Sequence, residues 1–292
     1  MAQYPFKQVD VFTGRPFFGN PVAVILDASG LSTEEMQRIA RWTNLSETTF
    51  VLPPSSAAAD YRLRIFTPAH ELPFAGHPTI GSAHAVLENG LIPKNNGKLI
   101  QECEAGLLQL TVSGDPNRRH IAVLAPEAKF RRDDAVDPAS LSNALGAAVS
   151  TTAPPLVIDV GPVWLVALLE READLGGLNP DLGALTRLSK DWNVTGVTAF
   201  ILPLGADAKV RLRTFAPAAG VPEDPVCGSC NAAVGAFLAH YRLLHRTGTE
   251  YTATQGTEIG RDGKITVRVA DEGRRVTIGG RAVTVIDGVL RC

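Results

Sequence analysis

The sequence predicts an α+β protein built from two similar lobes, and three observations carry that prediction. The chain repeats itself. Glu47–Pro53 reads E-T-T-F-V-L-P and Val197–Pro203 reads V-T-A-F-I-L-P. Arg62–Ala69 (R-L-R-I-F-T-P-A) matches Arg211–Ala218 (R-L-R-T-F-A-P-A), and His77–Ser82 (H-P-T-I-G-S) matches Asp224–Ser229 (D-P-V-C-G-S), each pair about half the chain length apart. Each copy also sets strand patterns on both sides of one helix rich in small residues. Finally, 292 residues with 45% apolar and 20% charged side chains are enough to bury two cores. An old duplication of this kind predicts two pseudo-symmetric lobes and a cleft between them. Where the copies agree, architecture is the reason at hand. Where they differ in polar character, chemistry is a candidate reason, as for Glu47 against Val197, His77 against Asp224 and Ile80 against Cys227.

The elements follow in order. Residues 4–13 and 21–26 are apolar and β-branched strands joined by the turn-rich stretch Gly14 to Pro21. A helix is expected over 33–43, capped by Ser32 with Glu35 closing a capping box. Strands are expected over 47–53 and 60–67. A second helix runs from Pro78 to Asn89, with Pro78 in its first turn and Gly90 at C′. Strands near 97–103, 106–113 and 119–125 close the first lobe. In the second lobe, strands at 156–159 and 163–169 precede a helix at 181–191. Strands at 197–203 and 209–215 lead to a small-residue helix from Gly228 to Tyr241, and strands at 251–256, 264–270, 274–279 and 282–290 finish the chain. The first lobe is thus expected over 1–125, completed by the last strand at 282–292. The second covers 155–281, and 126–154, with a short helix near 138–146, is the expected connection.

Charge and composition exclude several classes. A formal charge of −2 and no clustered Lys/Arg run argue against a nucleic-acid partner. No apolar run approaches the roughly 18 residues that a membrane helix needs. The first residues lack the basic-then-apolar pattern of a signal peptide, so a cytoplasmic protein is expected, with Cys103, Cys227, Cys230 and Cys292 as reduced thiols. No G-x-G-x-x-G follows a strand and no G-x-x-x-x-G-K-[ST] occurs, so no nucleotide cofactor is expected. His70, His77 and His84 recur every seven residues, but Gly76 and Pro78 are expected to break the helix that such spacing needs, and no metal is expected.

The chemistry-bearing residues cluster at the two helix starts. Gly76-His77-Pro78 and Glu223-Asp224-Pro225 each precede a buried helix, and Gly-Ser follows in both. Helix N-termini present unpaired N–H groups and the positive end of a dipole, so two of them suit a small carboxylate. Gly76 and Gly228 permit close backbone approach. Ordinary helix capping is the plainer reading of the same residues. Glu47 opens an apolar strand run, where burial would raise its pKa and make it a proton carrier, and an exposed strand-start glutamate is the alternative. Cys227-Gly228-Ser229-Cys230 is a lone C-x-x-C. Its first thiol lies at a helix N-terminus, and a small packed side chain explains it equally.

G-N-P-V-A-V (Gly19 to Val24), S-E-T-T-F (Ser46 to Phe50), F-T-P-A-H-E-L-P-F-A-G-H-P-T-I-G (Phe66 to Gly81) and E-D-P-V-C-G-S (Glu223 to Ser229) resemble the PhzF family of phenazine-biosynthesis-like isomerases over nearly the whole chain. The resemblance implies a fold similar to diaminopimelate epimerase, in which each lobe is a mixed sheet curled round a central helix. It also implies a homodimer that moves a proton on a small carboxylate, trans-2,3-dihydro-3-hydroxyanthranilate in the best-understood members, without metal or organic cofactor. By motif it assigns the general acid/base to Glu47, further catalytic roles to His77, Asp224 and Ser229, and carboxylate binding to the backbone at Gly76-His77 and Gly228-Ser229. Related epimerases oppose two cysteines. Cys227 occupies one such place, and Ile80 is its expected counterpart. The leading expectation is therefore a cofactor-independent isomerase. A racemase, epimerase or dehydratase using Glu47 and Cys227, and a non-catalytic metabolite-binding protein, stand as alternatives.

Overall fold

The structure, a computed structural model, describes residues 2–95, 97–131, 136–202 and 209–292. Pro203, at the end of one expected strand, and residues 132–135 of the expected connection lie outside the described residues. The fold is a mixed α+β one. It divides into two compact units, Met1–Leu124 with Gly279–Cys292, and Ala125–Ile278. The order begins β1 (Gln3–Val11), β2 (Asn20–Ile25), α1 (Thr33–Thr43), β3 (Thr48–Leu52), β4 (Tyr61–Phe66), β5 (Glu71–Leu72), α2 (Gly76–Glu88), β6 (Lys98–Cys103), β7 (Gly106–Ser113) and β8 (His120–Leu124). It continues β9 (Lys129–Arg131), α3 (Pro138–Leu145), β10 (Leu156–Asp159), β11 (Val163–Leu168), α4 (Glu172–Gly176), α5 (Leu182–Asp191), β12 (Gly196–Ile201), β13 (Val210–Ala216), β14 (Val221–Asp224) and α6 (Gly228–His240). The last strands are β15 (Glu250–Gln255), β16 (Gly263–Ala270), β17 (Arg275–Gly280) and β18 (Ala282–Arg291).

Within the first unit, α1 starts on the expected capping box. The Ser32 hydroxyl accepts from Glu35 N at 3.2 Å, and Glu35 Oε2 accepts from Ser32 N at 2.8 Å. Met36, Ile39 and Ala40, at helical spacing, turn one face into a core with Ile25, Phe50 and Phe66. Phe50 and Phe66 meet edge to face at 5.4 Å between centroids. The pairings run β2 parallel to β3, β3 antiparallel to β4, β4 antiparallel to β5, β4 parallel to β6 and β6 antiparallel to β7. β18 lies antiparallel to β1 over its length. Eleven of the 13 residues of α2 are buried, with small residues letting the backbone close on the strands. A side chain at Gly81 would run into Val22 and Val11.

Within the second unit the same pairing senses recur. β11 is parallel to β12, β12 antiparallel to β13, β13 antiparallel to β14, β13 parallel to β15 and β15 antiparallel to β16. Helix α6 also has 13 residues, ten of them buried. The core joins Leu165, Val197, Phe215 and Leu185 to Leu141, Ala144 and Leu145 of α3. Two expectations need correction here. The stretch 126–154 is not a bare connection, because β9 pairs with β10 and the apolar face of α3 is buried in this core. Pro78 does not break the helix either. It sits in the first turn of α2, where a missing N–H costs nothing, so His77 and His84 share one helix.

Candidate active site

Glu47 directly precedes β3, whose parallel pairing to β2 and antiparallel pairing to β4 bury Thr48, Thr49, Phe50 and Val51. His77 is the second residue of α2. The chain reaches that helix through β5, which Arg64 fixes by two bonds of 2.7 Å to the Glu71 carboxylate. The N-cap of α2 is Ala75, which has no polar side chain to bond the first-turn N–H groups. These two elements bring Glu47 and His77 together, with Oε2 3.3 Å from Nε2. The side chains retain 16% and 9% exposure, and Glu47 Oε2 itself is sealed from solvent. Burial disfavours the carboxylate and pushes the Glu47 pKa up to about 7, against the pull of a hydrogen bond from Ser46. A carboxyl near its midpoint at neutral pH can both accept a proton and return it.

In the second unit, Arg213 holds β14 as Arg64 holds β5. Its guanidinium makes bonds of 2.9 and 2.8 Å to the Glu223 carboxylate and further bonds to the carbonyls of Leu175 and Leu178. Asp224 ends β14. Its Oδ1 accepts from Val226 N at 3.0 Å and its carbonyl accepts from Gln255 Nε2 at 2.8 Å. Gln255 Oε1 in turn accepts from Cys227 N at 3.0 Å, so one buried amide clamps both ends of the turn before α6. Gly256 follows at φ +93°, with Pro225 O packed where a side chain would stand. Gly228 and Ser229 are the first two residues of α6, and Ser229 Oγ accepts from Trp164 Nε1 at 3.0 Å.

Three expectations are revised at these helix starts. Cys227 and Cys230 are joined by a disulfide, so they are not reduced thiols, and Cys227 in this form has no proton to carry as a second acid/base. The repeat register also shifts. Both helices begin on Gly-x, so Gly76-His77 corresponds to Gly228-Ser229, and Cys227 corresponds to the N-cap Ala75. His77 is therefore matched by Ser229 rather than Asp224, and Ile80 lies inside its helix. Strand pairing sets Thr48 opposite Phe66 and Val197 opposite Phe215, which makes Gly196 the counterpart of Glu47. Gly76, His77 and Glu47 adjoin one another in the first unit, and Asp224, Gly228 and Ser229 lie along one turn in the second. Sequence reasoning missed Trp164, Arg213 and Gln255. Arg213 carried a signal in the repeated R-L-R motif it shares with Arg64, and Gln255 carried one as a polar residue in the buried phase Tyr251, Ala253, Gln255 of an alternating strand. Gln101 repeats that signal in β6, where it bonds Tyr61 and Thr79.

Residues 9–288 match the family described as phenazine biosynthesis-like protein, PhzC-PhzF. The chain is 37% identical over 269 residues to the trans-2,3-dihydro-3-hydroxyanthranilate isomerase of Pseudomonas aeruginosa, covering 92% of this chain and 91% of the relative. The chain belongs to the phenazine biosynthesis-like family. It is an enzyme of isomerase type by that membership. Another family-length relative, the protein called antisense-enhancing sequence 1 of Schizosaccharomyces pombe, is 44% identical over 295 residues, with 99% of each chain covered. Among solved structures, a PhzF-family phenazine biosynthesis protein of Bacillus anthracis superposes with a TM-score of 0.87 at 29% identity, covering all of both chains. A probable proline racemase of Agrobacterium radiobacter shares the fold alone, with a TM-score of 0.66 at 16% identity over 99% of this chain and 92% of that one. No helix among the described residues is long and apolar enough to cross a membrane.

Proposed function

We propose that this isomerase moves a proton between carbons of a small unsaturated carboxylate, with Glu47 as the general acid/base. The observation that carries the reading is the enclosed Glu47 carboxyl, raised to about 7 and set 3.3 Å from His77. A family glutamate in this state removes a proton from one carbon as its carboxylate and, once that proton has exchanged with solvent, delivers a proton to another carbon as its acid. The substrate is isomerised and the enzyme is regenerated, with no oxidant or organic cofactor in the balance. His77 orients the substrate and answers the charge that develops while the proton is on Glu47. In the first unit the backbone N–H groups at Gly76-His77 bind the carboxylate; in the second, the family motif gives substrate-binding and catalytic roles to Gly228, Ser229 and Asp224. Supporting this division of roles, both helices are of one length, start on Gly-x and follow a strand fixed by an Arg–Glu pair.

The same reading takes the two units as pseudo-symmetric lobes from one duplication, in the manner of diaminopimelate epimerase, and the enzyme as a cytoplasmic homodimer. The recurrence of the strand-pairing order supports the duplication. The substrate class follows the relative named for trans-2,3-dihydro-3-hydroxyanthranilate, and that compound is the first to test. Incubation with it in D2O, followed by proton NMR, is expected to give a shifted double bond and one solvent-derived deuterium. Absence of both, there and with a panel of small unsaturated carboxylates, contradicts the proposal and leaves a binding protein. Full activity of Asp224→Asn and Ser229→Ala beside an inactive Glu47→Gln would remove the second unit's residues from it.

A further inference from the structure

The C-x-x-C pair at the start of α6 has a role that proton transfer by Glu47 leaves unassigned. Its bond spans only two intervening residues, so it restrains the unfolded chain little compared with a long-loop disulfide. A static brace gains little at such a place. The two sulfurs are also unequal. Cys227 is the N-cap and keeps 5% exposure, while Cys230 is fully buried. Cys227 Sγ accepts from Cys230 N at 3.1 Å, at the positive end of a 13-residue helix, where negative charge on sulfur is stabilised. Both residues are buried, and only Cys227 keeps any exposure, so in an exchanging couple Cys227 is the one attacked and Cys230 the one that resolves. The couple also touches the helix start. Cys227 Sγ is 3.4 Å from Ser229 Oγ, the hydroxyl that Trp164 Nε1 bonds at 3.0 Å. The remaining cysteines, Cys103 and Cys292, are unbonded and belong to the other unit.

We propose that Cys227–Cys230 is a reversible dithiol–disulfide site that exchanges with small disulfides and thiols of the glutathione type and resets the surroundings of Ser229. In the oxidising direction the Cys227 thiolate attacks one sulfur of glutathione disulfide and releases one glutathione thiolate. The Cys230 sulfur then attacks Cys227 Sγ and releases the second. Two protein thiols lose two electrons and two protons, and one glutathione disulfide becomes two glutathione molecules. The bearing of the couple on turnover rests on the place of Ser229 in the proposed site; the couple itself does not.

The test uses the full chain carrying Cys103→Ser and Cys292→Ser, equilibrated under native conditions in buffers from fully oxidised to fully reduced glutathione. Samples are quenched in acid, alkylated and weighed intact, and the wild-type chain is mapped by peptide as a check on the double variant. Both thiols are expected to be alkylated at the reducing end. Neither is expected to be alkylated at the oxidising end, without a retained glutathione adduct. Cys230→Ser should trap one glutathione on Cys227, and Cys227→Ser should trap none on the buried Cys230. Trp164 fluorescence should change over the same glutathione ratios and stop changing in Trp164→Phe. Two free thiols at every ratio, or a pair still protected under excess dithiothreitol, overturns the exchange. Exchange by mass with no Trp164 response overturns the link to Ser229.

Discussion

Glu47 combines a sealed carboxyl oxygen with an imidazole 3.3 Å from it. A structural ion pair would be served by a carboxyl of ordinary pKa, whereas burial here moves the group into the range where proton transfer in both directions is cheap. Glu47→Gln keeps the shape and removes the proton site, so turnover is expected to fall by roughly 10²–10⁴-fold with ligand binding retained. Steady-state kinetics on the substrate identified by NMR check this, and near-normal turnover would contradict it. The raised pKa also has a signed effect on stability. The folded state holds its Glu47 proton to about pH 7, while the unfolded chain releases it near 4.5. The contribution of Glu47 is thus fully present below 4.5, falls as pH rises towards 7 and stays lost above that. Melting curves of wild type and Glu47→Gln should therefore converge on one side of this window and diverge across it, with wild type losing stability relative to the variant as pH rises. A parallel pH dependence would contradict the raised pKa. Glu47 was legible as a polar departure within an apolar repeat, but its 3.3 Å contact with His77 was not. The contact with His77 depends on where α2 begins, and no local pattern gives a distance between two elements.

The helices explain most of what the sequence made legible, and also one of its two errors of register. The capping box of α1 is a local signal with a local structure, and it was readable for that reason. Ser32→Ala removes the acceptor for Glu35 N and should lower stability by about 1 kcal/mol, measurable by urea unfolding; no change would show that the cap is not formed in solution. Helix α2 is different, because its composition reports a tight fit rather than a terminus. Gly81→Ala places a methyl group against Val22 and Val11, and a loss of about 1–3 kcal/mol in the same assay is expected from overpacking. A variant as stable as wild type would mean that the helix stands farther from the strands. The H-P and D-P dipeptides drew the two copies into a false alignment, since proline fits the first turn of a helix as well as the turn before one. His77-Pro78 is inside α2, and Asp224-Pro225 lies before α6. Short β5, β9 and β14 escaped notice because two to four residues carry too little alternation to read.

At the scale of the molecule, the chain end completes the first unit. β18 pairs along the whole of β1, and Asp287 approaches the buried Lys7 ammonium at 2.6 Å beside Glu88 at 3.0 Å. Deleting residues 282–292 strips β1 of one neighbour and leaves Lys7 with a single counter-charge. Hydrogen exchange is expected to show lost protection in β1 and spreading through β2, with the amides of β12 and β13 little changed. Unaltered protection in β1 would contradict this account of the strand. The motifs repeated about half a chain length apart are a sequence feature, and the division of the chain into two compact units is a structural one. The place of 126–154 was not legible in the sequence, since β9 and α3 join the second unit by packing, which composition alone does not encode.

The central claim is that Glu47 is an enclosed carboxyl poised to exchange a proton at neutral pH. Its most direct test is a 13C NMR titration of the side-chain carboxyl carbons in uniformly glutamate-labelled enzyme, with Glu47→Gln to assign the resonance. One carboxyl, absent from the variant, is expected to titrate with a midpoint of about 7. A Glu47 resonance that titrates at the ordinary glutamate value of about 4.3 would contradict it.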